Sequence, residues 1–246
     1  HEDHGIYLAN GSNITIRKSN VRGNAARGIQ LFTQGGEYGT LENIRIEGNR
    51  VYANGHANYE DGIAVNATDR GTITSVVIER NLIYRNYYSG IRFVGDAMSA
   101  VTVRQNTFDA NGSGSSSASR SEVNLDDIGS GAGASFGRNI FNAGHLLIND
   151  CYDAAGRGFR LEDNVLNGQS APPGAGDCVG LVLQADPQFV DAASGDYHTR
   201  NPAVAAYGAY GGLSPTSTLA ISDANVTEGA SGTTSVTFTV TLSAGP

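Results

Sequence analysis

The stretch VVIERNLIYRNYYSGIRF, residues 76–93, carries two short apolar alternations and two asparagines in a fixed order. Val76 and Ile78 form the first alternation, Asn81 follows, then Ile83, then Asn86, and Gly90, Ile91 and Phe93 close the unit. The same order recurs outward in both directions. Its apolar pairs are Ile14/Ile16, Ile44/Ile46, Val76/Ile78 and Val101/Val103, with weaker copies at Phe136 and Leu161. The corner position after them reads Ser19, Asn49, Asn81, Asn106, Asn139 and Asn164, and the next apolar position Val21, Val51, Ile83, Phe108, Phe141 and Leu166. A second asparagine line holds Asn24, Asn54, Asn86 and Asn111. Between these copies runs G-I-x-L, at Gly5–Leu8, Gly28–Leu31, Gly62–Val65 and Gly90–Phe93, with degenerate versions at Val123–Leu125 and Leu146–Ile148.

Successive copies lie 30, 32, 25, 33 and 25 residues apart, and no amphipathic helix separates them. Strands this short bury a face only by stacking on their copies one turn away, at about 4.8 Å. The pattern predicts an all-β chain, a right-handed parallel β-helix. Asparagine suits its corners because it tolerates left-handed backbone and its amides can form ladders along the axis, so the asparagine columns are read as structure.

Sixteen basic and twenty-four acidic residues give a net charge of −8, which argues against a nucleic-acid partner. No apolar run approaches a membrane span, and Glu2 and Asp3 stand where a signal peptide would begin.

The quoted repeats, with GIYLANGSNITI and GIQLF, resemble the pectate-lyase-like superfamily of right-handed β-helix proteins over residues 1–212. That group includes pectate and alginate lyases and mannuronan C5-epimerases. The segment ADPQFVDAASGDYHTRNPAV (185–204) resembles the closing segment of secreted bacterial members and is expected to cap the C-terminal end. Residues 213–218 read as a linker, and 219–246 resemble the first two strands of a Calx-β domain, a truncated β-sandwich strand pair. The chain reads as a fragment at both ends, with further domains of the same longer chain expected. Secretion or a cell-surface location follows from the resemblance and agrees with a disulfide between Cys151 and Cys178, although two free thiols fit the sequence equally.

In each G-I-x-L strand the residue between the apolar positions points outward, which aligns Tyr7, Gln30, Ala64, Arg92 and Asn124. The residues before the glycines, His4, Arg27, Asp61 and Ser89, form a parallel column, and long loops at 33–42, 55–61, 66–74 and 112–121 flank it. The resemblance implies a polysaccharide partner, and the chemistry these groups suit is β-elimination on a uronic-acid polymer. Arg27 or Arg92 would neutralise the sugar carboxylate, His4 would take the C5 proton, and Tyr7 or Tyr59 would protonate the leaving oxygen. Asp61 completes the catalytic set, Gln30, Tyr59 and Asn124 are expected to bind the polymer, and Glu60 and Asp61 are the carboxylates that would hold calcium. A C5-epimerase would use the same groups, although HEDHG only partly matches the epimerases' D-P-H-E segment. A noncatalytic glycan-binding or adhesion module is the alternative from another class, and a hydrolase using Glu60 and Asp61 a weaker one. Arg17, Glu47, Glu79 and Arg104 are expected to form a solvated ladder, and His145 and His198 to be structural.

Overall fold

The computed structural model describes residues 3–34, 39–56, 60–68, 71–112, 114, 121–129, 132–142, 147–149, 158–168, 178–212, 218–222, 224–225, 227, 231–233, 235 and 237–243. The first five coils each give one strand to each of three parallel sheets, and the last strands extend two of them. Sheet A stacks β1 (Ile6–Leu8), β4 (Ile29–Gln34), β7 (Ile63–Thr68), β10 (Ser89–Gly95) and β13 (Ser121–Ile128). Sheet B stacks β2 (Gly11–Arg17), β5 (Thr40–Glu47), β8 (Thr72–Glu79), β11 (Met98–Arg104), β14 (Ala134–Gly137) and β16 (Arg160–Leu161). Sheet C stacks β3 (Asn20–Arg22), β6 (Arg50–Tyr52), β9 (Leu82–Tyr84), β12 (Thr107–Asp109), β15 (Ile140–Asn142), β17 (Asn164–Asn167) and β18 (Val182–Gln184).

The register pairs like with like, as the sequence repeat requires. Ile29, Ile63, Ile91 and Val123 stack in sheet A, and Ile14, Ile44, Val76 and Val101 in sheet B. Their side chains fill one continuous core between the sheets, in which the Phe108 and Phe141 rings stack at 4.8 Å. Burying each such side chain contributes about 1.5–3 kcal/mol, so the coils hold together through their neighbours.

Two amide ladders run along the corners. Asn49 Nδ2 donates to Asn81 Oδ1 (3.0 Å) and to the Ile16 carbonyl (2.9 Å), and the chain of amides continues through Asn106 and Asn139 to Asn164. Asn24, Asn54, Asn86 and Asn111 form the second ladder. The left-handed backbone, however, sits one residue earlier than expected. Gly48, Arg80, Gln105, Arg138 and Asp163 have φ between 51° and 63°, as do Ala53, Arg85 and Ala110 at about 52°, whereas the stacked asparagines do not. Bending the backbone just before the asparagine turns its amide along the axis, where it serves the ladder.

The second ladder also explains the glycines of G-I-x-L. A Cβ at Gly28 would lie 2.8 Å from Asn54 Nδ2, and one at Gly62 would lie 2.5 Å from Asn86 Nδ2. The asparagine amide occupies the space a side chain would need. At the next coil the column breaks: β10 and β13 pair Ser89 with Ser121, which puts Glu122 beside Gly90.

The segment read as a C-terminal cap packs along the side of the coils. β19 (Phe189–Asp191) and β20 (Asp196–Thr199) form an antiparallel pair, and residues up to Gly211 lie against the outer face of sheet C. Arg50 Nη2 donates to the Gly195 carbonyl (3.0 Å), Arg85 to Ala192 (3.0 Å), and Gln105 to Gly211 (2.9 Å), while Gly208 donates to the Arg138 carbonyl (2.9 Å). Under this strap the outward residues of sheet C are apolar: Leu82 and Tyr84 pack with Tyr197 and Ala209, and Ile140 and Val165 with Val204. Tyr197 donates to the buried Asp109 (2.9 Å). His198 belongs to the strap, stacked on Tyr210 with Nδ1 2.6 Å from Asp196; His145 lies outside the described residues.

The charge ladder on sheet B is less solvated than expected. Glu79 is only 4% exposed, because Arg45 and Arg104 close on its carboxylate from the coils on either side. Cys178 is buried and disulfide-bonded, and Cys151 lies outside the described residues.

Residues 212–246 form a separate unit. Its β21 (Thr218–Ile221) and β22 (Val240–Ser243) pair antiparallel, with Leu219 opposite Leu242. The first strand begins inside the stretch read as linker.

Candidate functional site

Sheet A places the expected side chains in one row. Tyr7, Gln30, Ala64, Arg92 and Asn124 are register partners on successive strands. Backbone bonds from Gly5 to Arg27, Gly28 to Asp61 and Gly62 to Ser89 (2.9–3.1 Å) hold the neighbouring column His4, Arg27, Asp61, Ser89 in step. Alternation then puts Phe32, Asn66, Val94 and Asp126 on the same outer face, two residues along.

The centre is an ion network across four coils. Arg27 pairs with Glu60 at 2.5 Å, Asp61 Oδ2 lies 3.6 Å from Arg27 Nε and 3.7 Å from Arg92 Nη1, and Arg92 closes on Asp126. Ser89 Oγ donates to Asp61 Oδ1, and Arg27 Nη1 donates to Gln30 (3.3 Å). Burial pushes the Asp61 carboxyl above its usual range, against the pull of Arg92, Ser89 and Arg27. For Arg92, burial works against the charge, but Asp61 and Asp126 outweigh it and hold the guanidinium more firmly protonated.

This geometry changes several expected roles. Asp61, Gln30 and Asn124 are shielded from solvent, so none of them meets a ligand directly; Asp61 positions the two arginines. The Nδ1 lone pair of His4 accepts the Arg27 backbone N–H (3.2 Å), which leaves the ring proton on Nε2. Neutral His4 in this position offers a donor and no free base. Its ring stacks on Tyr7, which is 44% exposed and also contacts Phe32. Tyr59 lies outside the described residues.

Glu60 and Asp61 do not fit a calcium ion. Both carboxylates face guanidinium groups, and among the described residues no three His, Cys, Asp or Glu side chains converge as a ligand set. Two members of the face went unread in the sequence, Asn66 and Asp126. Continuing the alternation two residues past Ala64 and Asn124 would have found them.

No helix among the described residues is long and apolar enough to cross a membrane. Residues 1–128, more than half of the chain, match the family described as right handed beta helix region. Comparison with curated proteins and with solved structures returns no match. Matched over the coils that carry sheet A and its charged face, the chain belongs to the right-handed β-helix family.

Proposed function

We propose that this chain binds a polysaccharide along the outer face of sheet A. The observation that carries the reading is the order of groups on that face. An exposed tyrosine ring, steadied by His4, and the partly exposed Arg92 stand three strands apart, roughly 14 Å at about 4.8 Å per strand, with the small Ala64 next to the arginine. A sugar ring has an apolar face for Tyr7 and hydroxyls for Arg92. Retention of the folded protein on insoluble polysaccharides, and loss of that retention in Tyr7→Ala, tests it.

A second reading, elimination or C5 epimerisation on a uronate, is favoured by Arg92, whose side chain is the more exposed of the two arginines at 21% and can meet a sugar carboxylate. The ultraviolet absorbance of an unsaturated product, with and without chelator, tests the lyase form. A secreted or cell-surface location agrees with the disulfide at Cys178. The resemblance of residues 219–246 supports a Calx-β-like module after the coils.

A further inference from the structure

We infer that the glycan held on sheet A is a neutral polysaccharide recognised through its hydroxyl groups, an inference that rests on the reading of this face as a glycan surface. The cations of the face are already committed. Arg27 is paired with Glu60, Arg92 with Asp126, and Asp61 stands between them, so two guanidiniums share three carboxylates and the cluster is net negative when all are ionised. A polyuronate would meet like charge, and to reach Arg92 its carboxylate would have to displace Asp126, the carboxylate already paired with it. The chain's net charge of −8 works in the same direction.

What the face leaves unmatched is a donor and an acceptor. Arg92 Nε and Asn66 Oδ1, both buried just beneath the face, have no hydrogen-bond partner among the described residues. β7 and β10 pair Ala64 with Arg92 and Asn66 with Val94, so the two groups are diagonal neighbours beside the small Ala64. A hydroxyl can donate to Asn66 and accept from Arg92, whereas a carboxylate only accepts and would face the Asn66 and Asp61 oxygens unfavourably.

Affinity electrophoresis of the whole chain decides this, in gels containing neutral xylan, mannan or β-glucan and in gels containing polygalacturonate or alginate, at low and at physiological salt. Wild type is expected to bind at least one neutral polymer about tenfold more tightly than either polyuronate. Asp126→Asn, which frees Arg92, should narrow that ratio about fivefold, and Asn66→Ala should weaken the neutral polymer alone. Circular dichroism of each variant confirms folding. Polyuronate binding as tight as neutral binding, or a ratio unmoved by Asp126→Asn, overturns the inference; retention by no polymer overturns the glycan reading beneath it.

Discussion

Glu122 takes the place of an amide at the end of a ladder: Asn111 Nδ2 donates to its Oε2 at 2.6 Å and the Asn111 backbone N–H to its Oε1 at 3.3 Å. It is the residue in β13 that interrupts the glycine column, and its side chain fills the room that an asparagine of the next coil would occupy. Burial pushes this carboxyl up to about 8, with Asp109 adding to the rise and Asn111 opposing it.

A folded-state value above the unfolded one means that protonated Glu122 favours the fold. That contribution is complete below about pH 4.5 and is lost as pH rises toward 8. Stability should therefore fall by roughly 1 kcal/mol per pH unit across this window from this group alone. Glu122→Gln keeps one of the two acceptors and removes the titration. Urea midpoints measured between these limits should slope downward in wild type and flatten in the variant.

The ladders should be most sensitive at their middle. Asn81 accepts from the backbone and side chain of Asn49 and donates to Asn106 and the Ile46 carbonyl. Asn81→Ala leaves several buried groups unpaired and should cost about 3 kcal/mol or more, against about 1 kcal/mol for Asn24→Ala at the end of the second ladder. Thermal unfolding of the two variants gives the comparison.

Two glycine-to-alanine changes separate crowding from backbone strain. Gly62→Ala drives a methyl to 2.5 Å from Asn86 Nδ2 and should cost about 2–3 kcal/mol through the ladder it displaces. Gly48→Ala meets open space and pays only for its left-handed φ of 63°, about 1 kcal/mol. Equal losses in denaturant unfolding would contradict the account of the glycine column.

Among the bonds that hold the strap along sheet C, the one between Tyr197 and Asp109 is buried. Tyr197→Phe strands a carboxylate oxygen that is buried beneath it, so the strap should loosen by about 2 kcal/mol while the coils persist. Hydrogen exchange should rise over 189–211 and stay low in Val76–Val103.

Much of the coil was legible because each repeat position meets its own copy. Ile44 over Val76, or Asn81 over Asn106, follows from the period alone. What lies across the period was not. The strap was read as an end cap because ADPQFVDAASGDYHTRNPAV shows that a segment closes the domain but not which surface it covers; the clue lay in Leu82, Tyr84 and Ile140, apolar on the outward side of their strands. At the site, the alternation placed Arg27, Asp61 and Arg92 on one face. Whether Asp61 meets solvent depends on how two long arginine side chains fold over it, which no spacing encodes. His4 lost its role as a base to a single backbone N–H from the next coil.

The most direct test of the central claim, that the outer face of sheet A holds a glycan, is titration calorimetry of wild type and Tyr7→Ala with an oligosaccharide cut from a polymer that retains the protein. The exposed ring packs on the outer face and contributes nothing to the core, so the variant should keep its melting temperature and bind at least about tenfold more weakly. Unchanged affinity in a folded Tyr7→Ala would contradict the account and move the binding surface away from sheet A.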